Sequence, residues 1–523
     1  MAAISRESSM NIGEGLTLNA INHPNKAALV YGKRIITYGQ LNLRANRLAN
    51  AVAAMGLDKG DKVAVLLYNC PEYLEAIFGL AKAGIVVVPL NYRLAPPELE
   101  FIINNSETRL LITEPECLGQ VLPVFPNLER VGPEHCIILG PNTPAGMLGY
   151  EALLSRSSDE EPPVEVEERD IFYIGYTSGT TGFPKGAVFS HKTRVLRSLL
   201  YTIIYGVRPK DVQLVVAPLY HAAPFGFAIM EVFAGGTLAL MRDYDPAQVL
   251  AYVQETRASS AFFVPTMYHD FLNLPPAERK RHDVSSMGIL VTGGAPLAPQ
   301  LKGEIVSFFH NAGLFEFYGG TETGMVTILR PEDQLTRPES VGQAILGTRI
   351  RLVDDHGREA PVGQVGELYM KGSITFECYH KDPVATQEVR REGWLTIGDL
   401  ARRDDEGYYY IVDRKRDMVI SGGANIYPAE IEKVLSTYPK IQDVAVFGVP
   451  DPRWGEAVKA VVVLKEGQAA TPEDVKEYCR GQLAGYKIPS SVDFVKEVPR
   501  TPSGKIMKQE LRAAYWAGRE RKV

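Results

Sequence analysis

Eleven consecutive residues, Tyr176-Thr-Ser-Gly-Thr-Thr-Gly-Phe-Pro-Lys-Gly186, concentrate groups that suit a polyphosphate. Gly179, Gly182 and Gly186 let the backbone turn tightly and bring its amides close to a ligand. Thr177, Ser178, Thr180 and Thr181 add hydroxyl donors, and Lys185 adds a cation. The stretch follows a strand-like run, Asp170-Ile-Phe-Tyr-Ile-Gly175, and precedes a helix expected to start near Ser190. Amides, hydroxyls and one lysine on a loop after a strand are the chemistry of a phosphate cradle. It is not a Walker A loop, which needs Gly-Lys followed by Ser or Thr, because Pro184 precedes Lys185 and Gly186 follows it. A ligand-free surface turn is the plain alternative; eleven such residues in a row weigh against it.

The elements that must position this loop read as alternating helices and apolar strands. Thr37 and Gln40 form a capping box, followed by Leu41, Ala45, Leu48, Ala49 and Val52 at helical spacing. Apolar strands are predicted at 63–67, 85–88 and 110–113, and further on at 212–216, 237–241, 260–264 and 289–292, with helices between them. Continuous apolar strands separated by helices imply largely parallel, helix-covered sheets. The polar stretch 155–169 reads as an exposed connector. From about Gly342 short strands flank the turn Asp355-His-Gly357, which implies a small β-rich, antiparallel subdomain. Beyond Asp413 comes a compact α+β pattern, with a helix at 428–437, strands at 444–449 and 458–464, and a helix at 472–483. The expected fold class is therefore α/β: a large N-terminal domain, 1–414, and a small mobile C-terminal domain, 415–523.

Composition sets the outer limits. With 523 residues, 45% hydrophobic and 23% charged, the chain is an ordinary globular protein with ample core. A net charge of -6 gives no reason to expect a nucleic-acid partner. Five scattered cysteines without a CxxC pair point away from a disulfide framework or a zinc site, toward a reducing compartment. No signal-peptide profile is present, and the most apolar stretch, 77–90, contains Lys82 and is too short to span a bilayer. The expected location is the cytoplasm; oligomeric state, with a homodimer among the options, and peripheral membrane association are left open by the sequence.

The loop at 176–186 closely resembles the phosphate loop of the adenylate-forming superfamily, which holds acyl-CoA synthetases, carrier-protein adenylation domains and firefly luciferases. The resemblance runs through residues 15–515 in motif order. Phe317-Tyr-Gly-Gly-Thr-Glu322 resembles the second signature. It implies that Tyr318 stacks on adenine beside Gly319, that Thr321 bonds the α-phosphate, and that Glu322 holds Mg²⁺. A single carboxylate suits Mg²⁺, which keeps several waters beside substrate phosphates. Gly294, Ala295 and Pro296, in Thr292-Gly-Gly-Ala-Pro296, are similar to the backbone lining the adenine; a plain strand-to-helix turn is the alternative. Asp399, in Trp394-Leu-Thr-Ile-Gly-Asp399, resembles the aspartate that reads the ribose hydroxyls, although Ile397 stands where threonine is usual. Asp413-Arg-Lys-Arg-Asp417 implies Arg414 as a second ribose contact and Arg416 as the hinge, a place more often held by Asp or Lys.

Arg500-Thr-Pro-Ser-Gly-Lys505 resembles the last motif, which carries the catalytic lysine, here Lys505. A cation bridging substrate carboxylate and α-phosphate stabilises charge that develops during attack. His221 matches the histidine near the acyl and thioester channel, and Ser421, Gly422, Gly423 and Trp454 resemble positions lining the pantetheine tunnel of coenzyme A. The plain alternative for His221 is a satisfied core histidine, and for Trp454 simple packing. Phe225, Phe227, Val264, Met267, Phe315 and Phe317 suggest an apolar acyl pocket, and would also serve as plain core. The implied activity is that of an AMP-forming acyl-CoA ligase: ATP and a carboxylic acid, a medium- or long-chain fatty acid, give acyl-AMP, and coenzyme A then takes the acyl group. The alternatives are an aromatic acid–CoA ligase, an acyl-AMP ligase or adenylation enzyme loading a carrier protein, a luciferase, and a non-catalytic nucleotide-binding scaffold. The aspartate that amino-acid-activating relatives carry is absent from Pro224-Phe-Gly-Phe-Ala228. The presence of Lys185, Glu322, Asp399, Arg414 and Lys505 together speaks against the scaffold.

Overall fold

Thr37 caps the helix Tyr38–Ala54 through the expected box, its hydroxyl accepting from the Gln40 amide while the Gln40 side chain accepts from the Thr37 amide. Such local signals recur along the chain: Asp245 caps Pro246–Thr256, and Ser190 caps His191–Tyr205. The computed structural model describes residues 10–177, 184–421, 424–480, 482–500 and 506–517. They divide into two compact units, one of Met1–Glu339, Ala344–Thr348 and Lys371–Gly393, the other of Ser340–Gln343, Arg349–Met370 and Trp394–Val523.

The first unit is built on two sheets. In one, Lys185–Ser190, Ile171–Thr177, Val86–Pro89, Lys62–Leu66, Thr108–Thr113 and Cys136–Ile138 are neighbours in that order. The other runs Gly324–Leu329, Gly313–Gly320, Ile289–Thr292, Ser260–Phe262, Val212–Val215, Thr237–Leu240, Ala27–Tyr31 and Arg34–Thr37. Their interior pairings are parallel, as between Lys62–Leu66 and Val86–Pro89, and antiparallel pairs appear toward edges, as between Gly313–Gly320 and Gly324–Leu329, while Thr108–Thr113 and Cys136–Ile138 stay parallel toward the far edge of the first sheet. Buried side chains such as Val63, Val87 and Leu111 fill both faces, as continuous apolar strands require.

The carboxyl ends of the two sheets are tied by one amide. Asn69, 2% exposed, follows the strand Lys62–Leu66 of the first sheet. Its Nδ2 donates to the carbonyls of Val216, Ala217 and Met241 at 3.4, 3.2 and 3.2 Å, and its Oδ1 accepts from the Leu219 amide at 2.9 Å. It thereby sets the segment that leads to His221.

The connector at 155–169 differs from its expected form. It is exposed over much of its length but pinned to the helix Tyr38–Ala54. Asn46 and Asn50 donate to the carbonyls of Asp159, Ser158 and Glu160. Lys82, which interrupts the apolar run, is buried and meets Glu161 at 2.8 Å. An amphipathic helix with asparagines on its polar face gives an extended chain the hydrogen-bond partners it would otherwise take from water.

In the second unit, Gly366–Gly372 pairs antiparallel with Trp394–Leu395 and Asp399–Arg403, and Asp399–Arg403 with Tyr409–Arg414. A further sheet of Val419–Ser421, Ala424–Ile426, Ile441–Asp451, Gly455–Leu464 and Ser491–Phe494 carries the helices Pro428–Ser436, Pro472–Cys479 and Lys508–Trp516. Val419, Ile431, Leu435, Val446 and Val462 form its core. The fold is thus the expected α/β class with a β-rich subdomain and a C-terminal α+β region. Among the described residues no helix is long and apolar enough to cross a membrane.

Replacing Asn69 by alanine strands buried carbonyls and the Leu219 amide, so Asn69→Ala is expected to lose about 2 kcal/mol of stability in urea unfolding. An unchanged urea midpoint would mean that water or a neighbour takes over these bonds.

Candidate nucleotide and acyl site

Ile171–Thr177 and Lys185–Ser190 pair antiparallel, with Tyr176 opposite Gly186 and Thr177 opposite Lys185. The glycine- and hydroxyl-rich stretch is therefore the connection of a β-hairpin. This corrects the expected course from strand through loop into helix: Gly186-Ala-Val-Phe-Ser190 is itself a buried strand, and the helix begins only at His191. The helix N-terminus serves Glu377 instead, whose Oε1 accepts from the hydroxyls of Ser190 and Thr193 at 2.7 and 2.9 Å. Ser178, Gly179, Thr180, Thr181 and Gly182 lie outside the described residues, as do Gly422, Gly423 and Lys505.

Lys185 and Glu322, far apart in sequence, meet the same ring. The Lys185 ammonium lies 5.4 Å from the centroid of Tyr379, and the Tyr379 hydroxyl donates to Glu322 Oε1 at 2.8 Å. Burial, reinforced by the Glu322 carboxylate, pushes the Tyr379 phenol well above its ordinary range, so it stays protonated and donates. Around Glu322 the backbone is also held. The Glu322 carbonyl accepts from the Phe376 amide at 2.7 Å, and the Thr321 carbonyl accepts from Arg197 Nη2 at 3.2 Å.

Glycine at 319 is required by the turn that presents Thr321 and Glu322, since a Cβ there would stand 1.9 Å from the Gly324 carbonyl oxygen. The ladder also shifts register between Tyr318 and Gly319. Thr292 and Glu316 are cross-strand partners in a parallel pair, so the turn at Gly293-Gly294-Ala295-Pro296 emerges beside Phe317 and Tyr318. A Cβ on Gly293 would meet the Phe317 ring at 2.6 Å, and Gly294 has φ +84. Loops at the carboxyl ends of adjacent parallel strands form the usual ligand crevice of such sheets.

His221 precedes the helix Ala222–Phe233 with its ring 4.3 Å from that of Tyr220. Of the apolar residues, Phe227, Val264, Met267, Phe315 and Phe317 share one cluster. Within it the Phe227 ring lies 5.3 Å from Phe262 and 6.2 Å from Phe317. Phe225 does not join them: two positions earlier on the helix, it faces Tyr173 at 4.8 Å and the Arg194 guanidinium at 5.4 Å.

In the second unit Asp399 and Arg414 are cross-strand partners, with Arg414 Nε 3.3 Å from Asp399 Oδ1. Gly398, at φ +78, turns the chain ahead of Asp399, and its amide donates to Thr396 Oγ1 at 3.0 Å. Arg416 is strapped by the last helix: Arg512 donates to the Arg416 carbonyl at 3.1 Å and to Asp417 Oδ1 at 2.8 Å. Burial lowers the Arg416 guanidinium, with repulsion from Arg414 next. Ser421 pairs with Gly455, which sets it beside Trp454; the indole is 48% exposed and covered by the Arg453 guanidinium at 4.5 Å.

Sequence reasoning missed Tyr379, Arg197 and Asn69. Arg194 and Arg197 did leave a signal, since they fall on the buried face of an amphipathic helix where a cation needs a reason. Nothing local marks Tyr379, whose importance comes from tertiary pairing with Lys185–Ser190.

Helix-covered parallel sheets, a hairpin whose second strand begins at a lysine, a carboxylate that shares one tyrosine ring with that lysine, and a C-terminal α+β region define an adenylate-forming enzyme. The chain belongs to the AMP-binding enzyme family, matched over residues 16–380, with the AMP-binding enzyme C-terminal domain matched over residues 430–505. It is 38% identical over 495 residues to a feruloyl-CoA synthase of Amycolatopsis sp, covering 94% of this chain and 96% of the relative. It is 36% identical over 513 residues to a long-chain-fatty-acid–CoA ligase of Mycobacterium tuberculosis, covering 97% and 99%. The crystal structure of ATP-bound MatB from Rhodopseudomonas palustris superposes with a TM-score of 0.88 at 31% identity, covering 97% of this chain and 99% of that one. The protein is an ATP-dependent acid–thiol ligase of the AMP-forming CoA ligase group.

Asp413, beside the Arg416 segment, accepts from the amides of Ala429 and Arg414, yet burial pushes its carboxyl up to about 6. A folded pKa above the ordinary 3.8 means the native state holds the proton more tightly than the unfolded chain. Stability from this group is therefore full below about pH 4 and declines as pH rises to about 6, by about 3 kcal/mol. Asp413→Asn should flatten that part of the stability–pH curve measured by urea unfolding; an unaltered slope would remove Asp413 as its source.

Proposed function

We propose that the chain activates an apolar carboxylic acid, a medium- or long-chain fatty acid in the first reading, and transfers it to coenzyme A. The observation that supports this is the meeting of Lys185 and Glu322 at Tyr379, which gives a cation and a carboxylate one shared ring. The hairpin residues Thr177 to Gly182, with Lys185, take the phosphates. Tyr318, Gly319 and the turn Gly294-Ala295-Pro296 hold adenine, Thr321 bonds the α-phosphate, and Asp399 with Arg414 read the ribose.

The donor set fits Mg²⁺. Among the described residues no group of three His, Cys, Asp or Glu could cage a metal, whereas one carboxylate beside phosphates and water is how Mg²⁺ is commonly held. When bound, Mg²⁺ would neutralise phosphate charge during displacement. Glu322 is the residue that would hold it.

In the first step a substrate carboxylate oxygen bonds the α-phosphorus and the bond to the pyrophosphate oxygen breaks, giving acyl-AMP and pyrophosphate. Lys505 stabilises the developing charge between carboxylate and α-phosphate. Residues 415–523 then turn about Arg416 relative to 1–414, Lys505 leaves, and Ser421, Gly422, Gly423 and Trp454 guide the pantetheine. The thiolate bonds the acyl carbon, the acyl–phosphate bond breaks, and AMP departs; His221 stands on the thioester side. The apolar cluster that Phe227, Val264, Met267 and Phe317 share supports a hydrocarbon acid. A second reading, an aromatic acid, is favoured by the stacked Phe227–Phe262 pair and by the feruloyl-CoA synthase relative.

The test is AMP release from Mg-ATP with a panel of fatty and aromatic acids, with and without coenzyme A, products identified by mass. An acyl-CoA forming only with coenzyme A present is expected, and the best acid names the class. Acyl-AMP accumulating without thioester would move the acceptor to a carrier protein. Separately, Lys505→Ala is expected to slow acyl-AMP formation by about 100-fold or more and to spare thioester formation from supplied acyl-AMP. Equal losses in the two half-reactions would remove Lys505 from the first step.

A further inference from the structure

We propose that Tyr379 is a positioning residue for the nucleotide's metal ion, orienting the Glu322 carboxylate and keeping it apart from the Lys185 ammonium. The inference rests on the metal reading of Glu322 given above. Lys185 occupies the face of the Tyr379 ring and Glu322 its hydroxyl edge, so the two charges sit on different sides of one rigid group. Without that spacer, a lysine and a carboxylate at such range would gain by pairing directly, and each would be withdrawn from the phosphates or the metal. With it, one carboxylate oxygen is fixed by the phenol and the group's orientation is set before any ligand arrives.

Tyr379 can do this because it is itself held on every side. Cys378–Tyr379 pairs antiparallel with Lys185–Ser190, placing Tyr379 opposite Ala187. Its amide donates to Thr386 Oγ1 at 2.9 Å, and that hydroxyl donates to the Asp382 carbonyl at 2.8 Å. The ring is 8% exposed and meets the Phe376 ring edge-on at 4.8 Å. Glu322 is held too, since its carbonyl accepts from the Phe376 amide and the preceding carbonyl accepts from Arg197. Both ends of the hydroxyl–carboxylate bond are therefore fixed through their backbones, the condition under which a partner of a metal-binding carboxylate tunes the metal.

The experiment is calorimetric titration of ATP into the whole chain at stepped Mg²⁺ concentrations, without acid or coenzyme A, for wild type, Tyr379→Phe, Glu322→Gln and the double variant. The readout is the Mg²⁺ concentration that half-maximally tightens ATP binding, which needs no turnover. Tyr379→Phe keeps the ring under Lys185 and removes only the hydroxyl; it is expected to raise that concentration about 10-fold or more. Glu322→Gln should raise it at least as far, and the double variant no further, because the phenol acts through the carboxylate. Thr386→Val, which loosens the Tyr379 backbone without touching Glu322, should shift it in the same direction by less. If Glu322→Gln shifts the Mg²⁺ response while Tyr379→Phe leaves it at the wild-type value, the positioning role is overturned and the metal assignment stands. A double variant worse than Glu322→Gln alone also overturns it, in favour of general packing. If Glu322→Gln leaves the Mg²⁺ response unchanged, the metal assignment itself falls and takes the inference with it.

Discussion

The described part of the site depends on one short backbone ladder, the addition of residues 376–380 to the strand Lys185–Ser190. The Glu377 amide donates to the Val188 carbonyl at 2.8 Å and the His380 amide to the Gly186 carbonyl at 2.7 Å. Those bonds cover an edge that would otherwise face solvent with unpaired amides and carbonyls. They also fix the backbone that carries three side chains of the site. Glu377 reaches the hydroxyls at the start of His191–Tyr205, Tyr379 reaches Glu322 and Lys185, and Phe376 buttresses the Tyr379 ring. A displacement of this ladder by one residue would turn Tyr379 away and put its neighbours in its place.

Behind that ladder the fold buries charge in three different ways. Arg194 is 2% exposed and packs against the rings of Tyr173, Phe189 and Phe225 at 4.5, 4.9 and 5.4 Å. Burial lowers its guanidinium to about 10, which still leaves it charged at neutral pH. Ring faces offset part of the desolvation. Its neighbour Arg197 instead spends its donors on the carbonyls of Ile374 and Thr321, clamping the 374–380 segment to the turn that bears Glu322. Under the opposite turn, Lys302 and Glu316 pair directly at 2.5 Å, and the Leu297 amide reaches Glu316 Oε1 at 3.4 Å. The ion pair thus holds the exit of the Gly293–Pro296 turn. The Arg197 clamp and the Lys302–Glu316 pair make nearby backbone rigid, and rigid backbone is what a site made of turns requires.

Much of this was legible in the sequence because the signals were local. Capping residues Thr37, Ser190 and Asp245 mark helix starts, and apolar runs of four or five residues mark the parallel strands. The motif residues Lys185, Thr321, Glu322, Asp399 and Arg414 could be named from their neighbours alone. What was hidden is what distant pairing decides. Gly186-Ala-Val-Phe-Ser190 reads equally as loop or strand until its partner Ile171–Thr177 is known. Tyr379 is one tyrosine among 25, and only the ladder gives it a carboxylate. Phe225 and Phe227 look equivalent in the chain, yet helical geometry turns them to different neighbours. The polar connector looked solvated because its partners, Asn46, Asn50 and Lys82, lie far upstream.

The second unit adds a mechanical argument to the proposed hinge. Arg512 grips both the Arg416 carbonyl and Asp417, Lys508 pairs with Glu432 at 2.8 Å, and Trp516 donates to the Gly448 carbonyl at 3.0 Å. One face of Lys508–Trp516 thus joins the segment beside Arg416 to the helix Pro428–Ser436 and the strand Ile441–Asp451. Lys505 precedes this helix by only three residues in the chain. A change of backbone angle at Arg416 would therefore be felt at Arg512 first and carried along a hydrogen-bonded helix toward the Lys505 end. A pivot braced in this way moves its cargo as a body and does not dissipate the rotation in side-chain rearrangement. On the proposed hinge reading, the charge at Arg416 matters less than the carbonyl it presents, which explains how arginine can stand where Asp or Lys is usual.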